Sequence, residues 1–124
     1  MERLIQVVAP EDLCVETLDY PYALIEDIVS DYQLSVCLDI GHLLLYGYAP
    51  EDYLDRYLPL SRVIHLHGVE EGQDHRSVAF VPAGLLTTLV NRLGNGPDKT
   101  RVLTMEIFDE RMLHHSLDVL SRFV

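Results

Sequence analysis

The chain has 124 residues, of which 48% are hydrophobic and 23% charged, and this composition indicates a folded globular domain rather than a disordered segment. Its formal net charge of -11 opposes contact with a phosphate backbone, so nucleic acid is not an expected partner. No apolar run reaches the roughly 20 residues that cross a bilayer, and Met1 to Arg3 lead into only a short apolar patch, so neither a membrane span nor a secretory signal is expected.

Short apolar runs alternate with segments of helical periodicity along the chain. The predicted strands are 13–18, 34–40, 62–67 and 101–108. The predicted helices are 23–32, one that opens at Pro50 with acidic residues in its first turn, one from about Pro82 to Leu93, and 110–123. A long loop is predicted from Val69 to Phe80, and residues 94–97 end the third helix. This order of four βα units predicts an α/β fold, with parallel strands and helices outside the sheet.

Polar side chains collect at the C-terminal ends of the predicted strands. Side chains alternate between the two faces of a strand, and one face of each strand here is aliphatic. The other face ends in Glu16, Asp39, His65 with His67, and Glu106. Active sites of parallel α/β proteins are built at these strand ends, and carboxylates buried there need a partner or a cation. The pattern predicts a divalent-cation site, with Zn²⁺, Mn²⁺, Fe²⁺ or Co²⁺ favoured over Ca²⁺.

Each of these residues also has an ordinary structural explanation. Glu16 could cap the next helix or pair with an arginine, and Asp39 before Gly41 could form a turn. A histidine within a strand is commonly hydrogen-bonded in a core, and Glu106 could face solvent. The occurrence of the same chemistry at four separate strand ends favours the metal site.

Two further groups of residues lie close to the predicted site. His42 follows Asp39 by three positions and is within reach of the same edge of the sheet. The long loop contains Asp74, His75 and Arg76, and loops of this length in a compact domain are often functional. We predict His75 as a further ligand or a general base, and Arg76 as a group that holds a phosphate or carboxylate. A solvated polar loop is the alternative.

Other chemistries have little support in the sequence. Lys99 is the only lysine and lies in a turn-like stretch, which argues against Schiff-base chemistry. Neither a phosphate-binding P-loop nor a serine nucleophile elbow is present. Cys14 and Cys37 are far apart and belong to no Cys-x-x-Cys pair, so buried free thiols in a reducing cytoplasm are expected, with a disulfide as the alternative.

The ordered motifs Val-Glu-Thr-Leu, Asp-Ile-Gly-His, His-Leu-His-Gly, Asp-His and Met-Glu-Ile resemble those of the xylose isomerase-like TIM barrels, from about position 13 to 108. That superfamily includes sugar isomerases and epimerases and the endonuclease IV type of apurinic/apyrimidinic endonuclease. Its members bind divalent metals at the C-terminal rim of the barrel. The resemblance implies a core ligand set and an additional set; the core set is Glu16, Asp39, His65 and Glu106, and the additional set is His42 with Asp74 or His75.

Within the superfamily, residues 37–47, 65–69 and 74–78 look most like the cobamide-remodelling phosphodiesterases. Those enzymes cleave the phosphoester linkage that holds the lower nucleotide loop of a corrinoid. The resemblance implies a small phosphorylated substrate. We assign Glu16, Glu106 and His75 as catalytic residues. We assign His67 and Arg76 to substrate binding. His67 departs from endonuclease IV, where asparagine is usual.

The chain has too few strands for a complete barrel. A TIM barrel has eight strands in about 250 residues, whereas four βα units are present here and resemble the C-terminal half. A half-barrel leaves two open sheet edges and an exposed inner face, which favours association. The chain could be part of a longer enzyme, could pair with a second copy, or could be completed by a separate N-terminal half. We expect a homodimer that closes an eight-stranded barrel.

Three functions follow as hypotheses. The first is metal-assisted hydrolysis of a phosphodiester. The second is isomerisation or epimerisation of a sugar or sugar phosphate, with Glu16 and Glu106 transferring the proton on either side of the metal. The third is a non-catalytic metal-binding or assembly module.

Overall fold

Residues 2–4, 6–95 and 100–124 are described by the computed structural model. Their strands are β1 (Cys14–Glu16), β2 (Ser35–Asp39), β3 (Ser61–Leu66), β4 (Gly68–Glu70), β5 (Gln73–Arg76) and β6 (Val102–Met105). The main sheet contains β1, β2, β3 and β6 in that spatial order, and every neighbouring pair is parallel. This confirms the predicted α/β fold with a four-stranded parallel sheet.

The α-helices of the described residues follow the strands in chain order. They are α1 (Glu26–Asp31), α2 (Ile40–Tyr46), α3 (Pro50–Tyr57), α4 (Ala83–Gly94) and α5 (Glu110–Ser121). Helix α3 begins at Pro50, as predicted, because proline fits the first helical position where no N–H donor is needed. Helix α1 is shorter than predicted, because a separate 3-10 turn, Tyr22–Leu24, precedes it.

Helix α2 was missed by the sequence analysis, which placed residue 40 in a strand. Strand β2 ends at Asp39, whose side chain accepts a hydrogen bond from the His42 backbone N–H and caps the helix. Gly47, with a φ of 75°, ends the helix in the left-handed conformation that glycine favours. Ile40 and Leu43 are fully buried. Hydrophobic residues such as these occur equally in a buried strand and in a buried helix, so the sequence does not show where β2 ends and α2 begins.

The predicted loop from Val69 to Phe80 contains a β-hairpin. Strands β4 and β5 pair antiparallel, with Gly68 opposite Arg76. Glu71 and Gly72 connect them with positive φ angles of 51° and 77°, the pattern of a two-residue type I′ turn. The strands of this hairpin are short and largely polar, so no alternating hydrophobic pattern marks them in the sequence.

One face of the main sheet is covered by helices. The central strands contribute fully buried aliphatic side chains to a core that also contains residues of α3 and α4; these are Val36, Leu38, Ile64 and Leu66 from the strands and Leu54, Leu86 and Leu89 from the helices. This confirms the predicted aliphatic face for β2 and β3. Strand β1, which was predicted to be buried, is only half-buried. At the opposite edge Val102 and Leu103 of β6 are 57% and 38% exposed.

The other sequence predictions have mixed outcomes. Both cysteine thiols are free, but only Cys37 is buried, because Cys14 lies on the half-buried edge strand. No helix among the described residues is long and apolar enough to cross a membrane. Lys99 and the predicted helix end at Gly96 and Pro97 lie outside the described residues.

The register of the sheet brings the predicted site residues to one edge. Glu16 is the last residue of β1, and Asp39 at the end of β2 lies opposite His65 in β3. Glu106 directly follows β6, and its N–H donates to the Leu66 carbonyl at 3.2 Å, which continues the hydrogen-bond ladder by one residue. The C-terminal ends of four parallel strands therefore meet at this edge.

Candidate metal centre

The C-terminal edge of the sheet carries a compact group of four side chains, which we name the central cluster: Glu16, Asp39, His65 and Glu106. One candidate ligand atom from each lies within 4.8 Å of the others. His65 Nδ1 lies 3.2 Å from Glu16 Oε1, 3.2 Å from Glu106 Oε1 and 3.5 Å from Asp39 Oδ2. Four residues that the sequence pattern singled out are thus brought together.

The spacing of these atoms fits a divalent cation. Oxygen and nitrogen ligands lie about 2.0–2.2 Å from zinc, so the corners of a tetrahedral site are about 3.3–3.6 Å apart. The three contacts of His65 Nδ1 match that spacing closely. Asp39 Oδ2 is buried, and no contact to it among the described residues has hydrogen-bond geometry, although His42 Nδ1 and His65 Nδ1 lie 3.2 Å and 3.5 Å away; this is unusual for a buried carboxylate oxygen. A cation held between the four groups would provide the missing partner.

Asp39 is the most constrained member of the central cluster. It is fully buried, and its backbone N–H donates to Thr17 Oγ1 at 2.9 Å. Its Oδ1 accepts from the His42 backbone N–H at 2.8 Å. These contacts leave Oδ2 facing the cluster. Thr17 was missed by the sequence analysis, and its position directly after Glu16 was the one available signal.

The central cluster also shifts the pKa values of its members. Burial raises the pKa of Glu16, and the neighbouring Asp39 raises it further. Burial opposes ionisation of Asp39 as well, but the nearby imidazoles of His65 and His67 and the hydrogen bond from the His42 backbone N–H hold its pKa well below the usual range. The hydrogen-bonding contact with Asp39 raises the pKa of His65 to about 11. Without a metal, the proton on His65 is the positive charge among these carboxylates, and a cation would compete with it.

A second group, which we name the outer cluster, consists of His42, Asp74 and His75. Asp74 Oδ2 lies 3.4 Å from His75 Nε2 and 3.9 Å from His42 Nε2. His42 comes from the first turn of α2, whereas the other two residues come from β5. The unpredicted helix and the unpredicted hairpin therefore place this group.

The ring of His75 presents Nε2 to the outer cluster. Its Nδ1 lies 3.0 Å from the Glu106 carbonyl oxygen. A carbonyl can only accept, so this contact places the proton on Nδ1 and leaves a lone pair on Nε2. A backbone carbonyl that fixes the tautomer in this way is typical of metal-binding histidines.

His42 connects the two clusters. Its Nδ1 faces acceptors alone: Asp39 Oδ2 at 3.2 Å, Glu16 Oε1 at 3.3 Å and the Thr17 carbonyl oxygen at 3.3 Å. The proton therefore belongs on Nδ1, and the lone pair of Nε2 is directed to the side of Asp74. One imidazole thus contacts the central carboxylates and offers a ligand atom to the outer cluster.

The two residues predicted to bind substrate lie apart from each other. His67 is fully buried between the clusters, with Nε2 at 3.0 Å from Asp39 Oδ1. Arg76 donates to the Gln73 side chain, and its guanidinium approaches Met112 Sδ at 4.0 Å. The Arg76 side chain therefore lies toward α5, whereas the preceding His75 lies in the outer cluster.

Cys37 is a further candidate ligand. Its Sγ lies within 4.8 Å of ligand atoms of Glu16 and His65. Burial raises the pKa of the thiol. The sequence analysis interpreted Cys37 only as a buried free thiol.

No protein-family model, curated protein or solved structure matches the chain. The two clusters and the histidine that connects them are therefore the features from which a function can be inferred.

Proposed function

We propose that this protein is a divalent-metal-dependent hydrolase that cleaves a phosphodiester bond in a small phosphorylated substrate. The observation that carries the proposal is His42, whose two ring nitrogens face the central and the outer cluster. Adjacent cation sites recur in phosphatases and nucleases, where they hold the attacking and leaving oxygens. Cations bound there supply Lewis acidity toward the phosphoryl group and lower the pKa of a bound water.

The ligand chemistry narrows the choice of metal. Mixed carboxylate and imidazole ligands favour Zn²⁺, Mn²⁺, Fe²⁺ or Co²⁺. The central cluster would hold one cation through three carboxylates and His65. The outer cluster would hold a second through Asp74 and two imidazoles.

The exposed side of the site provides the access that a substrate needs. Asp74 and His75 have side-chain exposures of 39% and 28%, whereas Asp39 is sealed from solvent. Of the two roles predicted for His75, the free Nε2 lone pair favours that of a ligand. Glu16 and Glu106 are partly exposed and would accept a proton at their carboxylate oxygens, as a general base requires.

The motif resemblance extends this proposal to a particular substrate class. We propose a corrinoid phosphodiester, as in the cobamide-remodelling phosphodiesterases. The net charge of -11 repels a long polyanion such as nucleic acid. A single phosphodiester in a small molecule is compatible with this net charge, because cations bound at the two clusters would offset the negative charge of the protein near the site.

Glu16 and Glu106 favour a second candidate, a sugar or sugar phosphate isomerase or epimerase. Their Oε1 atoms each lie 3.2 Å from His65 Nδ1, so two carboxylates border the same cation position. Such a pair could move a proton between neighbouring carbons of a sugar. Incorporation of solvent deuterium at a substrate carbon, without phosphate release, would identify this activity.

We also propose that the sheet is half of a (β/α)8 barrel that a second copy completes. Helices cover one face, while β1 and β6 leave open edges and β6 exposes Val102 and Leu103. Parallel sheets normally have both faces covered. Pairing β1 of each copy with β6 of the other would give eight parallel strands with both metal edges at one rim. A separate N-terminal half would serve the same purpose.

Hydrolysis of bis(p-nitrophenyl) phosphate tests the proposed reaction. The purified chain is assayed with each of the four cations, alongside Asp39→Asn and the matched control His114→Ala, an exposed histidine on α5. We expect metal-dependent turnover that Asp39→Asn abolishes and His114→Ala preserves. Bound cation without turnover on this substrate or on a corrinoid phosphodiester would instead identify a non-catalytic metal-binding or assembly module.

A further inference from the structure

His67 lies between the two clusters and is completely buried. Its ring packs against the backbone of Gly41, where an added Cβ would lie 2.0 Å from His67 Cε1. The ring centroid is 5.3 Å from that of His42 and 4.5 Å from that of His75. A substrate has no access to a side chain in this position, so any effect of His67 on the site passes through its neighbours.

The Nδ1 atom of His67 holds the backbone of His75, whose N–H donates to it at 2.9 Å. The Gly68 carbonyl oxygen also lies 3.2 Å from Nδ1, and the two contacts compete for this atom because a carbonyl can only accept. The His75 N–H can only donate and its contact is the shorter, so it favours an unprotonated Nδ1 and a neutral ring with its proton on Nε2. His75 has a φ of 54°, a conformation that costs free energy in a residue other than glycine. The hydrogen bond helps to hold that conformation and so fixes where the His75 ring enters the outer cluster.

The Nε2 atom of His67 faces the central cluster, 3.0 Å from Asp39 Oδ1, in a close contact that does not have hydrogen-bond geometry. His67 thus contacts a ligand of the central cluster with one nitrogen and positions a ligand of the outer cluster with the other.

We propose that His67 is a positioning residue that couples the two cation sites, so that a cation in one raises the affinity of the other. A cation bound to Asp39 Oδ2 would hold that carboxylate in place. Through its other oxygen, Oδ1, the carboxylate would then hold the ring of His67. The ring in turn would hold the backbone of His75, so that the His75 side chain is already positioned to bind a cation in the outer cluster. This inference rests on the proposed two-site function.

Direct ligation by His67 is a weaker explanation of the same geometry. His67 does form a group with His75 and Glu106 whose candidate ligand atoms lie within 4.8 Å. Its Nδ1 lone pair, however, is already used by the His75 N–H, and its Nε2 carries the proton. A neutral ring therefore has no free lone pair for a cation.

Two substitutions separate the contacts of His67. In His67→Asn the side-chain amide lies near the Nδ1 position and can still accept from His75, but it does not reach Asp39. In His67→Gln the amide reaches the Nε2 position and keeps the contact with Asp39, but the acceptor for His75 is lost. Each variant is combined with Asp74→Asn, which disables the outer cluster through a partly exposed residue.

Zn²⁺ affinities from calorimetry measure the coupling. We expect the wild-type chain to bind two Zn²⁺ ions and Asp74→Asn to weaken the remaining central ion. The measured effect is the factor by which Asp74→Asn raises the Kd of the central Zn²⁺. In both His67 variants this factor should be at least about 5-fold smaller than in the wild-type background, 5-fold being the lower end of typical coupling factors. A merely structural role would lower both affinities and leave the effect of Asp74→Asn unchanged, which would overturn the inference. A wild-type chain that binds fewer than two Zn²⁺ ions would overturn the two-site function as well.

The tautomer of His67 provides a test that needs no variant. A long-range ¹H–¹⁵N spectrum of the metal-free protein should show His67 with the proton on Nε2 and none on Nδ1. A neutral ring with its proton on Nδ1 could not accept from His75, and this result would overturn the inference even if both variants failed to fold.

Discussion

Asp39 and His42 are joined by two separate contacts. Asp39 Oδ1 accepts from the His42 backbone N–H at 2.8 Å, and Oδ2 lies 3.2 Å from His42 Nδ1. The first contact caps helix α2, and the second orients the imidazole whose Nε2 faces the outer cluster. One carboxylate therefore ends a strand, begins a helix and fixes a ring, so the local fold and the candidate metal site depend on the same side chain.

Substitutions at Asp39 should separate capping from metal binding. Asparagine caps helices about as well as aspartate, whereas alanine loses about 1 kcal/mol at such a position. We expect Asp39→Asn and Asp39→Ala both to lose the central cation, with Asp39→Ala less stable by about that amount. Zn²⁺ calorimetry and urea unfolding measure the two effects. Wild-type Zn²⁺ affinity in Asp39→Asn would show that the carboxylate is not a ligand.

Removal of metal should lower stability. A ligand that binds the folded state alone stabilises it by about 2.7 kcal/mol when its free concentration is 100 times Kd. We therefore expect Zn²⁺ to raise the midpoint of thermal unfolding and EDTA to reverse the change. The shift should shrink in Glu106→Gln and persist in His114→Ala. An equal shift in all three proteins would place the binding outside the central cluster.

The outer cluster should account for one cation of the two. His75 donates Nδ1 to the Glu106 carbonyl and offers Nε2 to the cation, so His75→Ala removes a ligand and keeps the carboxylates of the central cluster. We expect the Zn²⁺ stoichiometry to fall from two to one, as measured by elemental analysis after dialysis. His114→Ala should keep both ions. Two ions retained in His75→Ala would contradict the ligand assignment.

The central cluster could be predicted from the sequence because it depends on strand alternation alone. Glu16, Asp39, His65 and Glu106 each end or follow an apolar run, and parallel strands bring such ends together. The outer cluster was harder to predict, because Asp74 and His75 lie on a polar hairpin that has no hydrophobic period. Its turn uses Glu-Gly rather than the Asn-Gly or Asp-Gly pair that marks a type I′ hairpin.

The contacts of buried polar atoms were beyond sequence reasoning for a different reason. Thr17 Oγ1 accepts from the Asp39 backbone, and His67 accepts from the His75 backbone. These contacts connect residues 22 and 8 positions apart, and no local periodicity specifies them. His67 was assigned to substrate binding, whereas β3 ends at Leu66 and the His67 ring packs in the interior against Gly41 of α2.

Gly41 should tolerate no side chain, because the ring of His67 occupies the space. A Cβ at Gly41 would lie 2.0 Å from His67 Cε1, whereas a Cβ at Gly84 in α4 would contact nothing within 4 Å. We expect Gly41→Ala to destabilise the protein by about 1–3 kcal/mol, as overpacking does, and to weaken Zn²⁺ binding. Gly84→Ala should be neutral or stabilising by up to about 1 kcal/mol, because alanine favours helix. Urea unfolding compares them, and equal stabilities would contradict the packing of His67 on α2.

The exposed edge strand β6 should determine the oligomeric state. Val102 is 57% exposed on this edge, and an added charge there would be buried if β6 pairs with β1 of a second copy. We therefore expect native mass spectrometry to report a metal-bearing dimer for the wild-type chain and a monomer for Val102→Lys. Leu24→Lys is the matched control, because Leu24 is 73% exposed but lies in the 3-10 turn before α1 and not in a strand. Loss of the dimer in both variants would point to general destabilisation. A wild-type monomer would contradict closure by a second copy and leave a separate half-barrel as the partner to be sought.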